Sequence, residues 1–332
     1  MLPRLLAVPV VASLLFMVCL PLSAAQPQTS GTPAGGQVVV GTFVSAGTDP
    51  ATAVVDLPPP LHRRTLGVDS SADRALLAQA RAGDQITISI DAPAAHIAAV
   101  SSLRRPITAG QRVTALGGSL LLVLLVGATL RGGSPLAFAL GADNRYSNSH
   151  TQLLLWFTAL IGVYLATLAL RVAAFGGDYL GGVAITENLL ALSGLSGLSF
   201  GGAKIITSQK LAALAEDPPA VPATPAPPTT PATPAAPAVR PPNLKTTADK
   251  PRLLRDLVTN DLGQADIGDF QMILLVLIAV VLFLLKSYHW LGLLPLADEV
   301  TLPDVDEALL ASFGIGHGAY LIKKAAQEPG RG

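Results

Sequence analysis

One histidine near the C-terminal end of the sequence lies among three alternating glycines. In the segment LLASFGIGHGAYLIKK, His317 has Gly316 and Gly318 as neighbours, Gly314 precedes it, and no charge occurs before the two final lysines. An imidazole is costly in hydrocarbon, so a histidine at this position is a candidate proton relay or ion site. The structural alternative, which the sequence favours, is a neutral histidine bonded to a carbonyl or serine of a neighbouring helix.

A second segment of the sequence repeats this pattern 120 residues earlier. The segment LLALSGLSGLSFGGAK also begins with Leu-Leu-Ala, and each segment follows another long apolar run. The sequence therefore predicts two helical hairpins of one pattern, arranged as parallel repeats about an axis along the membrane normal. The aligned pairs are Leu189 and Leu309, Leu190 and Leu310, Ala191 and Ala311, Gly194 and Gly314, Leu195 and Ile315, Phe200 and Tyr320, Lys204 and Lys324, while Gly197 takes the place of His317.

The glycines of both segments predict close helix packing. Lipid tails do not drive helices together, so association requires close backbone approach, which small residues permit. Gly197 and Gly201 form one GxxxG step, and Gly314 and Gly318 form another. The predicted helix-packing residues are Gly194, Gly197, Gly201, Gly314, Gly316 and Gly318.

Two serines accompany the glycines of the segment that begins at Leu189. Ser193 and Ser196 can add hydrogen bonds between helices. Together with His317 they form the candidate intramembrane polar site of the sequence.

The rest of the sequence has no residue spacing that indicates catalysis. It has no Walker loop, no GxSxG, no HExxH and no GxGxxG after a strand. The five histidines are dispersed, and the single cysteine, Cys19, lies in the N-terminal apolar segment. We expect Asp304 and Glu307 to cap the last helix in a capping-box-like pattern rather than to act as acid and base. We therefore predict no catalytic residue, no cofactor and no metal site, and we expect that the protein is not an enzyme.

The composition indicates that lipid surrounds part of the chain. Only 13% of the 332 residues are charged, whereas a soluble domain has about 25%. The net charge of zero provides no field that would attract nucleic acid. The predicted fold class is a membrane all-α bundle of five transmembrane helices with a duplicated hairpin, plus a small mainly β exported domain. The predicted spans are 113–130, 152–170, 188–203, 270–285 and 308–322.

The last three predicted spans are short for a membrane. Sixteen residues rise about 24 Å, which is less than the roughly 30 Å of the hydrocarbon layer. They can still cross if terminal lysines reach the interface. For the fifth segment, a re-entrant or buried helix is the alternative.

The remaining segments divide the chain into an exported part and a linker. Residues 1–25 are typical of a signal peptide, with an uncleaved anchor as the alternative, and 26–36 are a flexible lead-in. Ile86, Ile88 and Ile90 share one face of a predicted strand, and a short helix ends at Gly83. The other predicted units are 37–112, the periplasmic mainly β domain; 113–206, helices one to three; 207–250, a Pro/Ala/Thr-rich cytoplasmic linker; 251–268, an amphipathic juxtamembrane segment; 269–325, helices four and five; and 326–332, a tail.

The lysines and arginines predict the orientation of the spans. Basic residues are concentrated in the loop 131–151, around the linker from Lys204 to Arg255 and at the C-terminal end from Lys323 to Arg331, whereas the loop 286–307 is acidic. This distribution predicts that the N-terminal domain is outside and the C-terminus inside. Arg104, Arg105 and Arg112 are the discordant cluster on the outer side.

Several separated stretches resemble one protein family. They are DNRYSNSHTQ from Asp143, LLALSGLSGLSFGGAKIIT from Leu189, DLGQADIGDFQM from Asp261 and TLPDVDEALLASFGIGHGAYLIKKA from Thr301. Over about residues 113–325 the chain is similar to a family of uncharacterised bacterial multi-pass inner-membrane proteins. The resemblance implies residence in the bacterial inner membrane and the paired-hairpin layout, and it implies no catalytic residue.

These observations predict a class of function rather than an activity. We expect a non-enzymatic assembly or interaction component of the bacterial envelope, with the lipid bilayer as one partner and a second copy or an envelope protein as another. The alternative is a channel or transporter subunit. The absence of charge within the predicted spans, apart from His317, argues against that alternative, since transport routes usually need polar groups.

Overall fold

The computed structural model describes residues 37–49, 51–91, 96–141, 143–216, 248–259 and 264–326. These ranges include all five predicted spans. The predicted signal peptide, the lead-in and the proline-rich segment 218–242 lie outside the described residues.

The N-terminal region is a mainly β unit, as predicted. Its strands are β1 (Gln37–Ala46), β2 (Thr52–Asp56), β3 (Arg63–Val68), β4 (Gln85–Ile90) and β5 (His96–Pro106). They pair in the order β3-β2-β1-β4-β5, and β3 also pairs in parallel with β5 through Gly67–His96 and Val68–Ile97. The five strands therefore close on themselves.

The core of this unit comes from the alternation that the sequence displays. Ile86, Ile88 and Ile90 are buried on one face of β4, as predicted, against Leu66 and Ile97. Helix α1 (Ser71–Ala78) begins at Ser70, whose hydroxyl accepts a hydrogen bond from the Asp73 N–H.

The predicted end of α1 at Gly83 is wrong. The helix ends at Ala78 with Gln79 as its C-cap, and Gly83 occupies a later turn with φ of +95°. A positive φ favours glycine in any tight turn. The glycine therefore indicates a turn but not the position of the helix end.

Four long apolar helices could cross a membrane by their length and composition. They are α2 (Ala109–Leu130), α3 (Asn148–Phe175), the part of α4 over Glu187–Ile206, and α6 (Ile267–Trp290). Helix α4 as a whole is Glu187–Glu216, and two further helices are α5 (Leu253–Asp256) and α7 (Glu307–Ala326). Helix α7 covers the fifth predicted span but is not among these four within the described residues.

The structure extends the helices predicted to be short. Helix α4 has 30 residues and α6 has 24. Because α4 continues to Glu216, residues 207–216 are helical rather than part of the predicted linker. The apolar run marks only the lipid-compatible part of the helix, since the polar residues that continue it carry no hydropathy signal.

Helices α3, α4, α6 and α7 share one apolar core. It contains Trp156 of α3, Leu189 and Leu192 of α4, Phe283 of α6 and Phe313 of α7, all nearly inaccessible to solvent. The Trp156 and Phe283 rings lie 5.5 Å apart. Helix α2 packs mainly on α3 and is otherwise exposed, as a helix surrounded by lipid would be.

The helices have two distinct ends. At the sheet end, α3 and α6 terminate next to the β strands. At the opposite end, α3 and α6 begin, and the Asn148 side chain of α3 donates hydrogen bonds to the Leu257 carbonyl at 3.2 Å and the Asp269 carbonyl at 3.1 Å. The Asn148 side chain therefore connects the start of α3 to the start of α6.

Candidate functional site: the sheet end and the polar groups among the helices

A strand from the loop between α6 and α7 completes the sheet. Strand β7 (Leu293–Pro295) pairs antiparallel with β5, with Arg105 opposite Leu294. The Leu296 N–H donates to the Leu103 carbonyl at 2.8 Å, and Leu294 and Leu296 are buried. The sheet thus contains both the N-terminal region and a segment that lies far later in the chain, after helix α6.

The sequence alone does not reveal β7. The stretch LGLLPLADEV has the features of the start of an acidic outer loop. A strand of three residues that contains a proline gives no usable alternation. Only the exposed edge of β5 makes this segment a strand.

A buried ion pair involves strand β5 where it pairs with β7. The Arg105 Nε donates to Asp84 Oδ1 at 3.0 Å and its Nη2 donates to Asp84 Oδ2 at 2.8 Å. The side chains of Arg105 and Asp84 are only 9% and 2% exposed. Such two-pronged guanidinium–carboxylate pairs fix orientation as well as charge.

Arg105 also reaches from the sheet to the helices. Its Nη1 donates to the Ala174 carbonyl in the last turn of α3, and its guanidinium lies 4.8 Å from the centre of the Phe175 ring. Its Nη2 donates to the Gln79 carbonyl at 3.1 Å. One side chain therefore connects β5, the end of α1 and the end of α3.

Two further arginines at the sheet end hydrogen-bond to backbone carbonyls. Arg171 is fully buried, and its Nη2 donates to the Ala297 carbonyl at 2.9 Å and the Asp298 carbonyl at 3.1 Å. Arg112 donates to the Tyr288 carbonyl at 3.2 Å and lies over the Tyr288 ring. These contacts join α3 and α2 to the end of α6 and the loop after it.

The segments that lead into α4 and α7 meet at Asp304. Strands β6 (Val183–Ala184) and β8 (Val300–Thr301) pair in parallel. The Thr186 hydroxyl then donates to Asp304 Oδ1 at 2.6 Å, and the Asn188 amide donates to Asp304 Oδ2 at 2.8 Å. The two helix starts are therefore adjacent and run in the same direction.

The predicted capping role of Asp304 is wrong. Helix α7 begins at Glu307, and it is Asp306 Oδ1 that accepts the Ala308 N–H at 2.9 Å. Asp304 is engaged instead by Thr186 and Asn188, which belong to the other hairpin. A spacing pattern cannot anticipate a partner so distant in sequence.

Hydrogen bonds among the described residues do not connect the three members of the candidate intramembrane polar site. Ser193 accepts from Trp156 Nε1 at 2.9 Å and donates to the Leu189 carbonyl at 2.7 Å. Ser196 donates to the Leu192 carbonyl at 3.0 Å within its own helix. No hydrogen bond among the described residues joins either serine to His317, although the expected interhelical hydrogen bond of Ser193 is present.

His317 is buried within the helices. Its ring is stacked on Phe313, with centroids 5.1 Å apart, and its Nδ1 lies 2.8 Å from the Phe313 carbonyl oxygen of the same helix. Its Nε2 is buried without a hydrogen-bond partner among the described residues. The predicted bond to a neighbouring helix is therefore not formed, and the ring bonds to its own helix.

The glycines of the two GxxxG steps make no close contact within the described part of the chain. A Cβ added to five of the predicted packing glycines would meet no described atom within 4 Å, and one added to Gly316 would lie 3.5 Å from Leu275. That these glycines pack against a helix of a second copy of the chain thus stays a prediction. The five are Gly194, Gly197, Gly201, Gly314 and Gly318.

Two other glycines allow helices to approach. Helices α4 and α7 meet where a Cβ on Gly202 would lie 3.2 Å from Leu321. Helices α2 and α3 meet where a Cβ on Gly162 would lie 2.5 Å from Leu120. The sequence does not single out Gly162, because it stands alone in a run of apolar residues without the spacing that indicates a glycine motif.

Comparisons with protein-family models, with curated proteins and with solved structures find no match to this chain. Within the described residues, no group of three metal-ligating side chains comes together.

Proposed function

We propose that this chain is a non-enzymatic component of a bacterial inner membrane that holds a periplasmic β unit in a fixed position on a bundle of five transmembrane helices. The supporting observation is the pairing of β7 with β5, because it makes the loop between two helices a strand of the sheet. A unit attached by one flexible tether would have no such strand.

The contacts of the arginines support the fixed attachment. Arg105 bonds to Asp84 and to the last turn of α3, and Arg171 bonds to the loop after β7. A hinge between sheet and helices would break the guanidinium–carbonyl bonds of Arg105 to Ala174 and of Arg171 to Ala297, and hydrogen bonds of charged groups contribute about 1.5–3 kcal/mol each. A fixed height above the membrane suits a protein that presents a surface to a partner.

The proposed orientation places the sheet end in the periplasm. Two of the three discordant arginines of the outer side have structural partners there, since Arg105 pairs with Asp84 and Arg112 bonds to Tyr288. The basic residues at the opposite end then indicate the cytoplasm. Membership of the uncharacterised inner-membrane family and the duplicated hairpin belong to this proposal, and the parallel β6–β8 pairing supports the duplication.

The alternative proposal is a channel or transporter subunit. The observation that favours it is the buried Nε2 of His317, which lacks a partner among the described residues, together with the similarly placed Nε2 of Gln152. Against it, four serine and threonine hydroxyls of the helices donate to carbonyls of their own helices. These are Thr167, Ser193, Ser196 and Ser287.

One experiment separates the two proposals. A photo-crosslinking residue replaces exposed Thr65 on β3, or exposed Leu125 on α2 as the matched lipid-facing control, in cells that make the full chain. The scaffold proposal predicts one stoichiometric protein adduct from position 65 and none from position 125. Ion flux through liposomes containing the purified chain, reduced by His317→Ala, would instead establish the channel.

A further inference from the structure

A cavity of about 400 Å³ lies at the opposite end of the helices. Its volume falls in the range of small-molecule binding sites. Two chain segments form it, one just before α3 and the other leading towards α6. The lining residues are Arg145, Ala248, Asp249, Lys250, Arg252, Arg255, Asp256 and Thr259.

Hydrogen bonds hold the two segments together. The Ala248 N–H donates to the Asp143 carbonyl at 3.0 Å, and the Asn144 amide donates to the Ala248 carbonyl at 2.8 Å. Asp256 Oδ2 accepts the Tyr146 N–H at 3.2 Å and the Arg252 N–H at 2.8 Å. The walls of the cavity are therefore preformed, which lowers the entropic penalty for binding a ligand.

The cavity has an excess of positive charge. Four cationic side chains line it, against the carboxylates of Asp249 and Asp256, and Asp256 already accepts two backbone N–H groups. None of the four cations forms an ion pair, within 4.0 Å, with a carboxylate of the described residues. The cations are Arg145, Lys250, Arg252 and Arg255.

The position of the cavity matches the headgroup region of a membrane. Asn148 ties Leu257, two residues before the last lining residue, to the starts of α3 and α6. Between Arg252 and Arg255, Leu254 is 70% exposed, and Ile267 at the start of α6 is 84% exposed. Cations beside exposed apolar side chains suit the boundary between lipid tails and water.

We infer that this cavity binds the phosphate of an anionic lipid headgroup. Arginine forks match phosphate oxygens in pairs, and basic clusters next to a membrane helix attract anionic lipids. A free phosphorylated solute shares this chemistry, but exposed Leu254, between Arg252 and Arg255 in the sequence, and exposed Ile267 at the start of α6 favour the lipid. The inference does not depend on the proposed scaffold function.

The test is native mass spectrometry of the full chain in detergent with equal amounts of phosphatidylglycerol and phosphatidylcholine. Both lipids carry phosphate, but only phosphatidylglycerol has net negative charge. We expect preferential retention of phosphatidylglycerol by the wild type. Each cation contributes about fivefold, so Arg252→Gln with Arg255→Gln should reduce retention on the order of 20-fold.

Two further variants keep the result interpretable. Lys250→Gln alone should reduce retention about fivefold, and it serves if the double variant does not fold. Arg131→Gln is the matched control, because this exposed arginine ends α2 at the same end of the helices and does not line the cavity. Its retention of phosphatidylglycerol should equal that of the wild type.

The contradictory outcomes are equally specific. Equal retention of the two lipids by the wild type would overturn the inference, as would unchanged retention by the double variant and by Lys250→Gln. Competition with inorganic phosphate distinguishes a lipid headgroup from a soluble phosphate. If inorganic phosphate displaces phosphatidylglycerol completely at equal concentration, the site takes a soluble phosphate and the lipid assignment is wrong.

Discussion

The two ends of the helices use the same residue types in opposite ways. At the sheet end, Arg105 and Arg171 are buried and their guanidinium groups contact carboxylate or carbonyl oxygens of other elements. At the opposite end, Arg252 and Arg255 are exposed and make no ion pair with a described carboxylate. The guanidinium donors at the sheet end are therefore engaged by the fold itself, whereas those at the opposite end are available to the lipid phosphate that we propose.

The largest expected effect comes from breaking the buried pair at the sheet end. Asp84→Asn leaves the Arg105 charge buried without a carboxylate, and removing one partner of such a pair costs about 3–5 kcal/mol. We expect a clear fall in the unfolding temperature, measured by the fluorescence of the full chain in detergent. The double variant with Arg105→Met should be less destabilised than Asp84→Asn, since no charge is then stranded.

An exposed ion pair provides the control for that variant. Arg63 and Asp56 lie 3.6 Å apart with side chains 64% and 51% exposed. Exposed pairs contribute about 0–1 kcal/mol, so Asp56→Asn should change the unfolding temperature little. If Asp56→Asn and Asp84→Asn were equally destabilising, burial would not distinguish the sheet end.

The next effect concerns neighbouring glycines in the half of α4 that approaches the opposite end. A side chain on Gly202 would collide with Leu321 of α7, whereas one on Gly201 would meet no described atom within 4 Å. Overpacking costs about 1–3 kcal/mol. Gly202→Leu should therefore destabilise the chain itself, and Gly201→Leu should leave its unfolding temperature unchanged.

The same two variants sharpen the prediction about the GxxxG steps. If Gly201 contacts a second copy, Gly201→Leu should reduce the oligomer mass in detergent, measured by light scattering. Gly314→Leu on α7 should do the same. An unchanged mass for both variants would remove the packing role of these glycines.

The smallest expected effect concerns His317. Its ring bonds to the Phe313 carbonyl of its own helix and leaves Nε2 without a described partner. Replacing it by Leu removes a buried polar group, so we expect a change in the free energy of unfolding below about 1 kcal/mol, of either sign. A loss of liposome flux in His317→Leu would contradict this structural interpretation and favour the relay.

The sequence predicts the helices better than it predicts the contacts between them. Long apolar runs locate α2, α3 and α6 because hydrophobicity over some twenty residues is a local property. The pattern of β4 is equally local, and it correctly predicts the buried isoleucines. By contrast, β7 depends on the edge of β5, and the role of Asp304 depends on Thr186 and Asn188. No local pattern contains those partners.

The same reasoning applies to the candidate site. His317, Ser193 and Ser196 are conspicuous in the sequence because they are polar residues in apolar segments, and all three lie among the helices as those segments require. Their mutual distances depend on helix rotation, which the glycine pattern does not determine. The sequence shows three cations of the cavity as a basic stretch over 250–255, but it does not show the cavity, because Arg145 comes from a segment about one hundred residues earlier.

The most direct test of the account is a distance measurement between the sheet and the helices. Spin labels replace exposed Thr65 on β3 and exposed Leu180, next to the end of α3, in a background with Cys19→Ser. The account predicts one narrow distance distribution by double electron–electron resonance in detergent, and a broader one when Asp84→Asn is added. A broad distribution in the otherwise unaltered chain would show that the β unit moves freely on the helices, which contradicts the central claim.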